Sequence, residues 1–159
     1  MNRFSATNSS EAVLAVDRAD IWAVLTDPVL LTKLTPLLTG IDADGDIWRW
    51  HLIRLSVLGV GVGSDFTERM TSEEGRRIDY VHAPPPGVTE RIGAEGWYEL
   101  SDVEGGTKLS ISLTVHVELP LPPVTGAIVQ RVMAETMQRT GERFSTNLLR
   151  HLGVRKSAT

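Results

Sequence analysis

Between Thr107 and Leu119 the chain alternates without a break. Leu109, Ile111, Leu113, Val115, Val117 and Leu119 fall on one face; Lys108, Ser110, Ser112, Thr114, His116 and Glu118 fall on the other. A period of two held this long predicts a strand with one buried and one wetted face. Shorter runs of the same kind predict strands at Glu11–Val16, Thr39–Ala43, Asp46–Leu55, Ser64–Thr71, Arg76–His82 and Arg91–Asp102. Asp44–Gly45 supplies the positive φ angles of a tight hairpin. Asp17 reads as an N-cap opening a short helix through Ala19, Ile21, Trp22 and Leu25. Asp27–Pro28 opens a second one, which runs to Lys33 or Leu34 and is stopped by Pro36. After Pro120, Pro122 and Pro123 the period becomes helical from Val124 to Leu152. Ile128, Val132, Phe144, Leu148 and Leu152 then form an apolar stripe with Val129, Met133 and Met137 beside it. Arg131, Glu135, Gln138, Arg139, Glu142, Arg143 and Arg150 lie opposite. At 1.5 Å per residue this helix is about 43 Å long, enough to cross a domain.

Strand, two short helices, six strands and one long helix predict an α+β fold. Its sheet is a curved, seven-stranded antiparallel one that wraps the C-terminal helix. The expected unit is one domain over residues 1–159, with residues 153–159 a frayed tail. In a meander the connections alternate between the two ends of the sheet. One end collects Asp44–Gly45, the turn Ser72–Gly75 and Glu104–Gly106, which are short, polar and mostly acidic. The other collects Val57–Gly63, Ala83–Val88 and Leu119–Pro123, which are apolar and rich in glycine and proline. Apolar loops gathered at one end predict a pocket mouth or, as the plain alternative, a lid over the core. On Arg91–Asp102 the inward set is Ile92, Ala94, Gly96, Tyr98 and Leu100. Small Ala94 and Gly96 face Thr136, Thr140 and Gly141 of the helix, which leaves either close packing or open space. Gly141 costs about 1 kcal/mol within a helix, so a kink or close contact is expected there.

With 159 residues, 42% of them hydrophobic and 23% charged, composition is that of an ordinary globular chain. The net charge of −4 offers no basic footprint for nucleic acid. No run approaches the roughly 20 apolar residues of a membrane span, and Met1–Thr7 hold no apolar core of signal-peptide length. The expected setting is cytoplasmic, without stable membrane insertion. The absence of cysteine excludes disulfides and thiolate chemistry.

Motif chemistry is sparse. Gly59, Gly61 and Gly63 have the wrong spacing for a dinucleotide turn, lack a phosphate-loop lysine and precede a strand. Asp42, Asp44 and Asp46 resemble a calcium loop faintly, but Gly45 comes two positions early and Ile53 stands where the bidentate glutamate belongs. His51, His82, His116 and His151 share no metal-binding spacing, and His116 belongs to the wetted face. No metal and no cofactor is implied. Alternation does carry polar groups inward: burying Phe66 takes Glu68 with it, and burying Trp50 takes Arg54. A desolvated Glu68 has a raised pKa unless a cation such as Arg54 pairs with it. The expected ligand contacts are therefore Trp50, Arg54, Phe66, Glu68, Tyr80, Tyr98, Met133 and Met137. The expected mouth is Leu58, Val60, Val62, Pro85 and Val88. Glu68 and His82 are the candidates for acid–base work, against the plain account of a structural ion pair and a rim histidine. Trp22 and Trp48 are core aromatics by the usual rule, which applies to Trp50 as well.

One family fits this order. Val16, then Ala19, Asp20, Ile21, Trp22, Leu25, Asp27 and Pro28, carry the pattern after the first strand. Leu34 and Pro36, the Gly105–Gly106–Thr107 turn, and a final helix ending in Asn147, Leu148 and Leu149 continue it. In these features the chain resembles the START-like (SRPBCC) superfamily of helix-grip proteins. That superfamily includes polyketide cyclase/dehydrase and lipid-transport proteins, relatives of the birch-pollen allergen, hormone receptors and chaperone activators. The resemblance spans nearly the whole chain and implies a hydrophobic cavity between sheet and long helix, opening near the apolar loops. It does not choose among functions. The expected partner is a small hydrophobic molecule, lipid-like or aromatic. A cyclase/dehydratase acting in the same cavity through Glu68 or His82 is the alternative. A third reading is an interaction module that docks its apolar loops on a protein or membrane.

Overall fold

The structure is a computed structural model, and it describes residues 1–154. Strand β1 (Asn2–Leu14) is followed by helices α1 (Arg18–Leu25) and α2 (Pro28–Leu34). Strands β2 (Leu38–Asp44), β3 (Ile47–Leu52), β4 (Ser56–Val57), β5 (Val60–Gly61), β6 (Asp65–Glu73), β7 (Arg77–His82), β8 (Ile92–Val103) and β9 (Gly106–Leu119) come next. A 3-10 turn (Pro123–Thr125) leads into α3 (Gly126–Leu152). Gly153, in the left-handed region at φ 66°, caps α3. The rest of the expected tail, 155–159, lies outside the described residues.

Seven strands form one antiparallel sheet in the order β1-β9-β8-β7-β6-β3-β2, and β4 and β5 form a separate small hairpin. The expected α+β architecture and its two short helices are present. Two local readings change, and one holds in position but not in its capping bond. The first strand begins at Asn2, well before Glu11, and pairs with β9 from Asn2↔Leu119 to Leu14↔Thr107. Its inward positions include Asn8 and Ser10, which weaken the alternation. Asp17 stands at the N-cap of α1 without a side-chain capping bond, whereas Asp27 Oδ1 accepts from the N–H groups of Val29 and Leu30 at 3.0 and 3.2 Å. Ile128 is 55% exposed, and the buried stripe of α3 is centred on Val129, Met133, Met137 and Leu148.

Apolar burial is divided in two. One cluster joins α1, α2 and the acidic-turn end of the sheet through Ile21, Leu25, Leu31, Trp48, Leu100 and Leu148. The other lies at the glycine- and proline-rich end, where Phe4, Val57, Phe66, Val117, Leu119 and Val129 meet. Side chains on α3 tie the halves together. Gln130 Nε2 donates to the Ser5 carbonyl at 3.1 Å, and Asn147 Nδ2 donates to the Leu34 carbonyl at 2.9 Å.

Candidate functional site: a cavity between sheet and helix

Between the two clusters lies a cavity of about 300 Å³. Its walls come from all seven strands of the large sheet, from α2 and from α3, so the sheet curves round the helix. Ala94 on β8 and Thr136, Thr140 and Gly141 on α3 all line it. The small residues facing one another thus leave open space. A Cβ at Gly141 would meet only Asn8 Nδ2, at 3.8 Å, so no close contact accounts for this glycine. Gly96 has a different reason. A Cβ there would sit 2.0 Å from the Ser112 carbonyl oxygen and 2.9 Å from the Tyr80 hydroxyl, and the Tyr80 hydroxyl donates to that same carbonyl at 3.1 Å.

The inward face of β3 and β6 supplies the aromatic and acidic part. Trp50 pairs with Phe66 and Trp48 with Glu68 across the ladder. The Trp50 and Phe66 rings stack, with centroids 6.1 Å apart. On β7 and β8, Tyr80 and Tyr98 meet at 5.4 Å. Trp50, Phe66, Glu68, Tyr80, Tyr98 and Met137 all line the cavity. Glu68 is 2% exposed, and burial pushes its carboxyl well above the ordinary glutamate range. Burial, with the nearby Glu68 charge, also raises both tyrosine hydroxyls. Two buried side-chain atoms have no hydrogen-bond partner among the described residues: Trp50 Nε1 and Glu68 Oε2.

Several expected residues lie elsewhere. Arg54 is exposed, because β3 ends at Leu52 and the Ile53 N–H bonds the Leu37 carbonyl, which turns the chain off the inward face. It is no counter-charge to Glu68. Met133, one turn before Met137, packs into the second cluster. Of the expected mouth, Val60 and Val62 pack against that cluster, while Leu58 and Val88 are 49% and 51% exposed and Pro85 is exposed. None of the five lines the cavity. From the glycine- and proline-rich runs, Val57, Val60, Val62 and Leu121 pack into or against the second cluster. Lining residues outside regular elements are Thr35, Pro36, Leu37 and Leu55. Leu37 holds φ 72°, a left-handed conformation that a leucine adopts at a cost.

His82 also leaves the cavity. The β7–β8 ladder ends at Tyr80↔Gly96, and beyond it the His82 ring packs 4.8 Å from His116 over the bare Cα of Gly93, where a Cβ would meet both rings within 2.5 Å. His82 Nε2 bonds Glu90 Oε1 at 2.9 Å, and Glu90 accepts from the Thr67 N–H and hydroxyl at 2.8 and 2.7 Å. His116 is 6% exposed, so its assignment to the wetted face is overturned; burial, Arg3 and His82 depress its pKa. This network was not legible in the sequence. Its signal would have been the lone Glu90 beside a proline-rich loop. His51 lies outside the cavity too, held between Asp42 Oδ2 at 2.7 Å and Asp65 Oδ1 at 3.1 Å.

Residues 5–153 match the family described as polyketide cyclase / dehydrase and lipid transport. No curated protein matches the sequence. Among solved structures, a conserved protein from Geobacillus kaustophilus superposes with TM-score 0.63 at 17% identity, covering 99% of this chain and 100% of that one. A START superfamily protein from Mycobacterium smegmatis gives 0.62 at 17% identity over 92% and 97% of the two chains. The Zhui aromatase/cyclase from Streptomyces sp. R1128 gives 0.60 at 12% identity over 94% and 93%. At these identities the likeness is one of fold.

Proposed function

The chain belongs to the polyketide cyclase / dehydrase and lipid transport family, and from that premise we propose that it binds or carries a small, mostly apolar molecule in the space between sheet and α3. One observation carries the reading: a cavity of about 300 Å³ survives between two packed clusters, at the lower end of the range for small-molecule sites. Affinity would come from apolar burial at about 25 cal/mol per Å², and orientation from the few polar groups in the wall. Thr140→Phe tests it by placing a ring in the cavity from α3. The variant is expected to keep the thermal stability of the parent while losing at least tenfold in affinity for naphthalene, measured by quenching of tryptophan fluorescence. Unchanged affinity would sink the proposal.

The buried carboxyl supports a second reading, a cyclase/dehydratase-type enzyme. Glu68 is a desolvated acid in an apolar wall, able to give and retake a proton at a bound carbonyl. His82 has no part in it, being outside the cavity. Here Glu68→Gln abolishes turnover of a polyketide-like substrate and leaves its binding intact.

A further inference from the structure

Buried polar atoms are nearly always paired, so two unpaired ones in one cavity wall ask for a partner. Trp50 Nε1 is a donor without an acceptor, and Glu68 Oε2 is unpaired in the same wall. Because Trp50 pairs with Phe66 and Trp48 with Glu68, Trp50 and Glu68 are diagonal neighbours on the inward face. Both side chains line the one cavity, so a single ligand seated there faces both. Resting on the binding reading above, we propose that the ligand carries one uncharged oxygen, as a hydroxyl, phenol or carbonyl, that accepts from Trp50 Nε1–H and hydrogen-bonds Glu68, and that it carries no anionic group.

Charge decides the second half. Among the described residues, the lining contains no lysine, arginine or histidine, and Glu68 is its one carboxyl. A ligand carboxylate or phosphate would be desolvated with no cation to meet it. An ammonium would meet Glu68, but it is itself a donor and leaves the Trp50 N–H unpaired. Burial also favours the acid form of Glu68, which donates to a neutral oxygen and offers a cation no opposite charge. Tyr80 does not compete for the ligand, since its hydroxyl is engaged by the Ser112 carbonyl.

The test uses four probes of one shape, titrated calorimetrically at pH 7: naphthalene, 2-naphthol, 2-naphthoate and 2-naphthylmethylamine. The naphthol should bind roughly tenfold or more tighter than naphthalene, the scale of pairing a buried polar group, and the naphthoate more weakly than naphthalene. Trp50→Phe keeps the ring and removes the N–H, so the naphthol-to-naphthalene affinity ratio should fall about tenfold. The ratio cancels any general loosening of the wall. Glu68→Leu should lower the same ratio, whereas Glu68→Gln, which still donates and accepts, should keep most of it. Tightest binding by the amine or the naphthoate overturns the proposal, as does a naphthol that binds no better than naphthalene; in each case binding in the cavity stands. If none of the four binds, the carrier reading fails together with it.

Discussion

A carboxyl buried without a cation leaves its mark on the stability of the fold. In folded protein Glu68 holds its proton to a higher pH than in the unfolded chain, whose glutamate titrates near the ordinary 4.5. As pH rises above that value the unfolded state ionises first, and stability falls until the folded carboxyl ionises too. Glu68→Gln removes this loss: its melting temperature should exceed the parent's at pH 7, on a scale of about 2–4 °C per kcal/mol for a chain of this length. At pH 4 the two should coincide in calorimetry. His116 works in the opposite direction, since its depressed pKa costs stability as pH drops below the ordinary 6.5. At this scale alternation told much. Phe66, Glu68, Tyr80 and Tyr98 were placed on inward faces by parity alone, and they line the cavity. Parity failed for Arg54, where the strand had already ended, and for His116, where the outward face is covered instead of wetted. What covers it, the His82 ring that Glu90 holds, comes from a strand not paired with β9 and leaves no local pattern.

Among the elements, α3 contains a glycine that its own geometry does not require. A Cβ at Gly141 would meet nothing closer than 3.8 Å, and the residue lines the cavity. Gly141→Ala should therefore stabilise the helix by up to about 1 kcal/mol in urea unfolding, while the added methyl narrows the space for a ligand. The long helix and the strands from β6 to β9 were legible because each has a dry face, and a dry face sets a period. β1 was legible only over its last residues. Its inward positions Phe4, Ala6, Asn8 and Ser10 mix apolar and polar side chains because part of that face looks into the cavity and not into packed core. The β4–β5 hairpin was lost within a glycine-rich run. That run was apolar for a reason, but the reason was packing against the second cluster.

For the whole molecule, the division of the core into two clusters explains why the site sits where it does. Packing is complete at both ends and interrupted in the middle, and the interruption coincides with the smallest residues on β8 and α3. The order of elements was enough to predict the sheet and the helix packed on it; loop composition was not enough to say which loops line the cavity, because a lid over the core and a pocket mouth look alike in sequence. The pairing of β1 with β9, which sets Asn2 opposite Leu119, makes this a topology of long-range contacts. Refolding from urea should accordingly take milliseconds to seconds in stopped-flow fluorescence, not microseconds. On a ribosome the delay is longer still. At about 5–20 residues per second, the first strand emerges several seconds before the last one exists to receive it. During that wait its backbone edge is open to any other chain. The asparagine, serine and threonine residues that hid this strand from pattern reading are also what keep it in water until its partner arrives.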